Sequence, residues 1–213
     1  MAENIGEVTS SFVAALQHLA VAALADVLGP EFVMASDILP IVAGSRLVGP
    51  AATCFCPPGD NLPLHRALNV APPGCVLVIG SHNRAGNGLW GGLATRSASA
   101  RGIAVVSADG GVRDVSDIRD FTFPVWARFV SPLAAGKKAT EGCVGVPVSC
   151  GGVVVSPGDV IVADSDGIIV VPLNDAGEVV RAATLVVERE RLASPQLERG
   201  ALPSEVLGAT WPR

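Results

Sequence analysis

The sequence predicts an α/β domain whose middle winds as a βαβ unit, with a helix near each end and a run of short strands before the last one. Three observations carry this. The runs "GCVLVIG" and "IAVVSA" are continuously apolar and bounded by glycine or turn residues, the pattern of strands covered on both faces. Between them, "LWGGLATRSASAR" reads as a helix closed by Gly102, so strand, helix and strand form one right-handed crossover. From Cys143 the character changes: "PVSCGGVVVSPGDVIVADSDGIIVVPL" is punctuated by "PGD" and "SDG" turns, which predicts a β-layer lying over the α/β part.

In chain order, "SSFVAALQHLAVAALADVLG" starts on candidate serine caps and stops at Gly29, predicting one apolar helix. "SRLVGPAATCFCPP" is strand-compatible and ends at "PPGD". "NLPLHRALNVA" follows as a short amphipathic helix capped by Asp60 or Asn61 and carrying His65 and Arg66. After the central βαβ unit, "DGG" is turn chemistry, "VSDIRD" a short helix and "FPVWARFV" a third strand of the α/β part. "GKKATEG" reads as a mobile charged loop, and "DAGEVVRAATLVVERERLA" as a closing amphipathic helix. Residues 1–192 are expected to form a single domain and 193–213 a C-terminal tail, with "LPSEVLGATWPR" loosely held.

Composition excludes several functions. The 213 residues carry a formal charge of -5, and the 15 Lys and Arg are scattered, so no basic stripe offers a nucleic-acid groove. A mean hydropathy of +0.48 is high, yet every apolar run is broken by Gly, Pro or a charge before the roughly 18–20 residues that span a bilayer. The start "MAENIGEV" lacks the basic stretch of a secretory signal. A cytoplasmic protein with its apolar excess buried between subunits is the resulting expectation. Five cysteines fit neither a zinc site nor a CxxC pair, and "CFC" on a strand points both thiols to one face, as packing groups. His18, His65 and His82 are too far apart for a two-histidine metal motif.

Chemistry is expected at the carboxyl ends of the two central strands, where loops converge. One strand delivers loop 81–88 and the other "DGGVRD". If the strands are neighbours, the N–H groups around Gly91 and Gly92, at the positive end of a helix, face Arg113 and Asp114. Such a helix end accepts a carboxylate, and Arg113 can add a two-pronged contact to an α-keto acid. Asp114 can hold a divalent cation largely through waters. The same residues also fit a turn closed by an ordinary ion pair, and both readings stand. "GNGLWG" spells G-x-G-x-x-G at Gly86, Gly88 and Gly91, with Asp109 at the distance of a ribose acid, but the first glycine lies well past the end of its strand. His82, beside Asn83 and Arg84, is a possible acid–base group. Lys137 and Lys138 lack an apolar pocket to lower a pKa, so no Schiff base is expected.

Taken together, "PPGDNLPLHRAL", "LWGGLATRSASARGIAVVSADGGVRD", "FPVWARFVSP" and "VVVSPGDVIVADSDGIIVVP" resemble the family of 4-hydroxy-4-methyl-2-oxoglutarate aldolases, which also contains the bacterial regulator of ribonuclease activity A. The resemblance covers most of residues 20–192. It implies a β/β/α sandwich of the swivelling-domain type, RraA-like, assembled as a homotrimer or homohexamer with sites between subunits. It also implies divalent-metal-dependent cleavage of a 4-hydroxy-2-oxo acid to pyruvate, with oxaloacetate decarboxylation as a second activity. Carried over by position, Gly91, Gly92, Leu93 and Ala94 form the substrate loop, Arg113 contacts pyruvate, and Asp114 holds Mg²⁺ or Mn²⁺. The regulator branch tends to lack the Arg-Asp pair, so its presence favours an enzyme over a non-catalytic protein-binding regulator. The chain departs from many aldolase members at Gly92, where they carry an acid, and at Gly80-Ser81, where they carry a polar or acidic residue; a different hydroxy-keto acid substrate is therefore an alternative.

Overall fold

Pro50 divides the strand on which the architecture turns. The computed structural model describes residues 11–81, 86–103, 105–138 and 141–208. In it, β2 (Leu47–Phe55) follows a two-residue strand β1 (Leu39–Pro40). Residues Leu47 to Pro50 pair antiparallel with β10 (Val160–Ala163), whereas Ala51 to Phe55 pair parallel with β3 (Val76–Gly80). A proline has no N–H to give a ladder, so it suits the point where pairing passes from one neighbour to the other.

The remaining strands are β4 (Gly88–Trp90), β5 (Val105–Val112), β6 (Val125–Val130), β7 (Cys143–Val144), β8 (Val148–Cys150), β9 (Val153–Val155) and β11 (Ile168–Val171). The main path runs β1-β6-β5-β3-β2-β10-β11, with β4 on β5 and β7 on β2, while β8 and β9 form a separate hairpin. The helices are α1 (Val21–Leu28), α2 (Leu62–Val70), α3 (Gly92–Ala100), α4 (Val115–Asp120), α5 (Ala176–Glu198) and α6 (Pro203–Leu207).

Alternation along the strands builds three cores. Leu77 and Ile79 of β3 meet Leu64, Leu68, Ala98 and Ile118 of α2, α3 and α4. Val76 and Val78, on the other face, meet Ile161 and Val170 of β10 and β11 and Val155 of β9. Val160, Val162, Ile169 and Val171 turn outward to Leu24 of α1 and Val179 and Ala183 of α5. The β-layer expected after Cys143 is thus present, but β10 and β11 continue the sheet through β2 instead of forming a detached one. Trp126 of β6 joins the two β-layers, donating its Nε1–H to the carbonyl of Asp164 at 3.1 Å.

Five local expectations are corrected. The N-terminal helix is broken: a helical segment over residues 11–16 stops, and α1 begins at Val21. Arg46 donates to the carbonyls of Leu16, Gln17 and Leu19, and Asp164 accepts the Val21 N–H at 3.0 Å, so a distant ion pair caps both sides of the break. Such caps contribute about 1 kcal/mol each. Leu89 and Trp90 form β4, not the start of α3. "DGG" lies inside β5, whose register against β6 shifts between Ala108 and Gly111, and the turn falls later, at Asp114. The loop carrying Lys137 and Lys138 is tethered: Asp60 accepts the Lys138 N–H at 2.6 Å, and Gly136 bonds Gly59 and Asn61 through the backbone. At the C-terminus, α5 runs past residue 192 to Glu198, Pro203–Leu207 forms α6, and Arg189 donates to the Leu207 carbonyl at 2.8 Å, so part of the expected tail is helical. No helix among the described residues is long and apolar enough to cross a membrane.

Candidate active site

The site hangs from the carboxyl end of β5. Gly88 and Trp90 of β4 pair with Gly111 and Val112. That approach requires glycine at 111, where a Cβ would lie 2.4 Å from the Phe129 ring and 2.8 Å from the Asn87 carbonyl. β4 thereby lays the N-terminus of α3 beside Arg113, whose N–H donates to the Trp90 carbonyl at 2.9 Å. Trp90 is fully buried, stacks on Phe123 at 6.1 Å between centroids and donates to Thr95 Oγ1 at 2.9 Å, while Thr95 donates to the Gly91 carbonyl. The first turn of α3 is therefore fixed from below.

Asp114 then takes a left-handed conformation, φ 54°, costing an L-residue on the order of 1 kcal/mol. The turn sends its carboxylate back toward α3. Oδ2 accepts the Gly92 N–H at 3.0 Å and lies 3.4 Å from Arg113 Nε. Gly91 is what admits this arrangement, because a Cβ there would lie 2.7 Å from Asp114 Oδ2 and 2.9 Å from Arg113 Cγ. The Nη groups of Arg113 make no hydrogen bond among the described residues, and both side chains are a little under two-fifths exposed.

These residues open on a cleft of about 120 Å³, lined on one part by Gly91, Leu93, Ala94, Arg113 and Asp114. The volume suits a small organic acid with a few waters and falls well below the 300–1,000 Å³ typical of larger ligands. Leu93 stands exposed at its rim. The expected substrate-loop residues thus reach one cleft, with one exception: Gly92 gives its N–H to Asp114, but its Cα faces α4. A Cβ on Gly92 would lie 2.7 Å from Asp117 Oδ2, so the space a side chain would enter there is filled by the Asp117 carboxylate. Asp117 in turn pairs with Arg96 at 3.1 Å, and Arg96 lies 4.8 Å over the Phe121 ring. His82 lies outside the described residues.

Of the three charges gathered in "SADGGVRD", Asp109 goes elsewhere. Its carboxylate accepts from Arg128 Nε and Nη2 at 2.9 and 2.7 Å, and Arg128 also binds Asp37. Asp109 is thereby committed to a structural ion network, which removes the ribose acid that a dinucleotide reading of "GNGLWG" would need.

The second part of the cleft was not foreseen. Asn61, His65 and Lys137 line it. Asp60 caps α2 by accepting the Leu62 N–H at 2.8 Å, leaving the Asn61 side chain to donate from Nδ2 to the Leu89 carbonyl at 2.7 Å. Asn61 Oδ1 and His65 Nε2 are buried without a partner among the described residues. Each such atom costs about 1–3 kcal/mol until something binds it. Burial, and then the nearby Lys137 charge, hold His65 below the ordinary histidine range, with Asp60 opposing. The signal was available: Asn61 and His65 are four apart on one helix and so share a face.

Four of the five cysteines, Cys54, Cys56, Cys75 and Cys150, are buried, all five are free thiols, and Cys54 and Cys56 face one core as expected. Burial pushes the Cys75 thiol up to about 11, which leaves it protonated and inert.

Among the described residues, no three His, Cys, Asp or Glu side chains cluster tightly enough to cage an ion. One partly exposed carboxylate on a small open cleft suits a hard cation held mainly by water and substrate oxygens, as Mg²⁺ or Mn²⁺ is, and does not suit a closed zinc site.

A family model described as Aldolase/RraA matches residues 21–170. The chain belongs to the RraA-like family. Among RraA-like relatives, it is 34% identical over 172 residues to a protein of Halalkalibacterium halodurans provisionally named 4-hydroxy-4-methyl-2-oxoglutarate aldolase, covering 81% of each chain. An uncharacterised protein from Pseudomonas syringae pathovar tomato has the same RraA-like architecture, with a TM-score of 0.83 at 29% identity over 92% of both chains. Streptomyces coelicolor RraAS2, described as an unusual member of the RNase ES inhibitor RraA family, superposes with a TM-score of 0.76 at 29% identity, over 86% of this chain and 96% of that one. The swivelling β/β/α sandwich with flanking helices is thus the RraA-like fold, and the family holds both aldolases and regulators.

Proposed function

We propose that this RraA-like protein is a divalent-metal-dependent carbon–carbon lyase that cleaves a 4-hydroxy-2-oxo acid, such as 4-hydroxy-4-methyl-2-oxoglutarate, to pyruvate and also decarboxylates oxaloacetate. One observation carries the reading: Arg113 and Asp114 stand side by side at the N-terminus of α3, on a cleft of keto-acid size.

In this reading the α-keto acid end of the substrate lies against the first turn of α3, where free N–H groups and the helix dipole favour a carboxylate. Arg113 offers its unengaged Nη groups to the C2 oxygen. Negative charge grows on that oxygen as the C3–C4 bond breaks, so a guanidinium fixed beside it stabilises the transition state more than the ground state. Asp114 is the residue that would hold Mg²⁺ or Mn²⁺, and such an ion would supply further Lewis-acid stabilisation of the same charge. Asp114 is itself held by Gly92 N–H, so its geometry is set before substrate arrives. Oxaloacetate needs the same electron sink but no hydroxyl deprotonation, which is why one site serves both reactions.

The exposed apolar side chains Leu93, Val130 and Leu133, close to the carboxyl end of the sheet, support assembly as a homotrimer or homohexamer with the cleft near a subunit boundary. The likeness to the Streptomyces RNase ES inhibitor family favours a second reading, a protein-binding regulator. Pyruvate release from a panel of 4-hydroxy-2-oxo acids and oxaloacetate, with Mg²⁺ or with EDTA, separates the two. Metal-dependent turnover is expected; no turnover on any member would favour the regulator, and turnover of a single different hydroxy-keto acid would redefine the substrate.

A further inference from the structure

We propose that His65 is the catalytic base that takes the substrate's C4 hydroxyl proton. The proposal rests on the lyase reading above and names the group which that reading leaves open.

The argument begins with two orphaned atoms in one cleft. Asn61 cannot turn its amide over, because Nδ2 is tied to the Leu89 carbonyl at 2.7 Å, and the orphan is therefore an acceptor, Oδ1, with no donor. His65 Nε2 is the second orphan; His65 lies in the first turn of α2, and its N–H donates to the carbonyl of Asn61, the residue that precedes the helix. A substrate hydroxyl has one proton to donate, and of these two acceptors only the imidazole nitrogen is basic enough to take it, an amide oxygen being a hydrogen-bond acceptor but no base. The remaining charged lining groups are unsuited to accept the proton: the Arg113 guanidinium and the Lys137 ammonium offer donors and no acceptor, and Asp114 is engaged by Gly92 and Arg113. Burial and the Lys137 charge keep the imidazole neutral and able to accept. The tethered loop 136–138 holds Lys137 at the same end of the cleft, where it can meet an anionic substituent on C4.

The step balances. The hydroxyl proton passes to His65 Nε2, the C4–O bond closes to a carbonyl as C3–C4 breaks, and the bonding pair moves to C3, giving the enolate of pyruvate. His65 then returns the proton to C3, and the residue ends as it began. Oxaloacetate loses CO₂ without any hydroxyl proton, so its decarboxylation bypasses the first transfer.

The test compares kcat/KM for 4-hydroxy-4-methyl-2-oxoglutarate cleavage and for oxaloacetate decarboxylation in wild type, His65→Asn and His65→Gln, with Mg²⁺ saturating. Cleavage is expected to fall about 100- to 10,000-fold, the usual contribution of a positioned base, and decarboxylation by less than about tenfold. Added imidazole should restore part of the cleavage activity in His65→Gly. An equal fall in both reactions, or no fall, would overturn the role of His65, whereas a wild type inactive on both substrates would overturn the lyase reading itself. Should the variants not fold, a ¹⁵N-histidine spectrum of the wild type with 2,4-dihydroxyglutarate, which lacks the keto group, decides: a shifted His65 Nε2 signal is expected, and an unshifted one refutes the proposal.

Discussion

Replacing Gly91 with alanine should damage the site while sparing the fold. The residue sits in extended backbone, φ -166°, so alanine meets no conformational penalty. Its Cβ would come within 2.7 Å of Asp114 Oδ2 and 2.9 Å of Arg113 Cγ, about 0.5–0.7 Å inside ordinary contact. Neither neighbour can stay. Asp114 is partly exposed and can swing outward, which breaks its bond to the Gly92 N–H; Arg113 must move with it. A misplacement approaching 1 Å costs about 100-fold in rate, so kcat/KM for pyruvate release should fall about 10- to 100-fold. The cost in stability is the crowding plus one partly solvated hydrogen bond, about 1–2 kcal/mol, or a Tm lower by about 2–8 °C in a chain of this size. Steady-state kinetics across a Mg²⁺ series, with a thermal melt on the same samples, measure both. Wild-type kcat/KM with an unchanged Mg²⁺ requirement would show that Arg113 and Asp114 do not act from the positions described, and a collapsed melt would show that Gly91 serves the fold instead.

Arg113→Lys should lose nearly as much activity as Arg113→Ala, because an ammonium cannot present two donors in a fixed plane; rescue by lysine in the kinetic assay would contradict this. Asp114→Asn should raise the Mg²⁺ or Mn²⁺ concentration needed for half-maximal activity at least tenfold, and Mn²⁺ binding followed by electron paramagnetic resonance should weaken in parallel. Gly92→Asp should be destabilised by about 1–3 kcal/mol, since its side chain runs into the Asp117 carboxylate, and Gly92→Asp combined with Asp117→Gly should recover most of that loss in a denaturant melt. The acid limb of kcat/KM for hydroxy-acid cleavage should fall below the ordinary histidine range, because burial and Lys137 lower the His65 pKa: the base is lost only as pH drops through that lowered value. A limb at or above the ordinary range would contradict the assignment, and the limb should be absent for oxaloacetate.

What the sequence made legible follows the range of the interactions involved. "GCVLVIG" announces β3 because burial on both faces writes itself into every residue of the run, and "IAVVSA", of the same apolar character, falls at the start of β5. The break before α1 is invisible locally, since it depends on Arg46 and Asp164, far along the chain. "GLW" becomes a strand only because Gly111, some twenty residues on, lets another backbone lie against it, and "DGG" is straightened by the same contact. Arg113 and Asp114 could be picked out because a strand end and a helix start predict where loops converge. Asn61 and His65 had the right spacing, but their significance comes from loop 136–138 and β4, which no local pattern brings to them.

Because β2 bonds β10 with one half and β3 with the other, neither β-layer can open without stripping hydrogen bonds from the other. The two layers therefore melt as a single cooperative unit, and the backbone amides at both ends of this strand should share one hydrogen-exchange free energy, that of global unfolding. The cleft shares that rigidity: β4 is only three residues long, but its Trp90 is buried against Phe123 and bonded to Thr95, so the first turn of α3 rests on the strand lattice as on a fixed anvil.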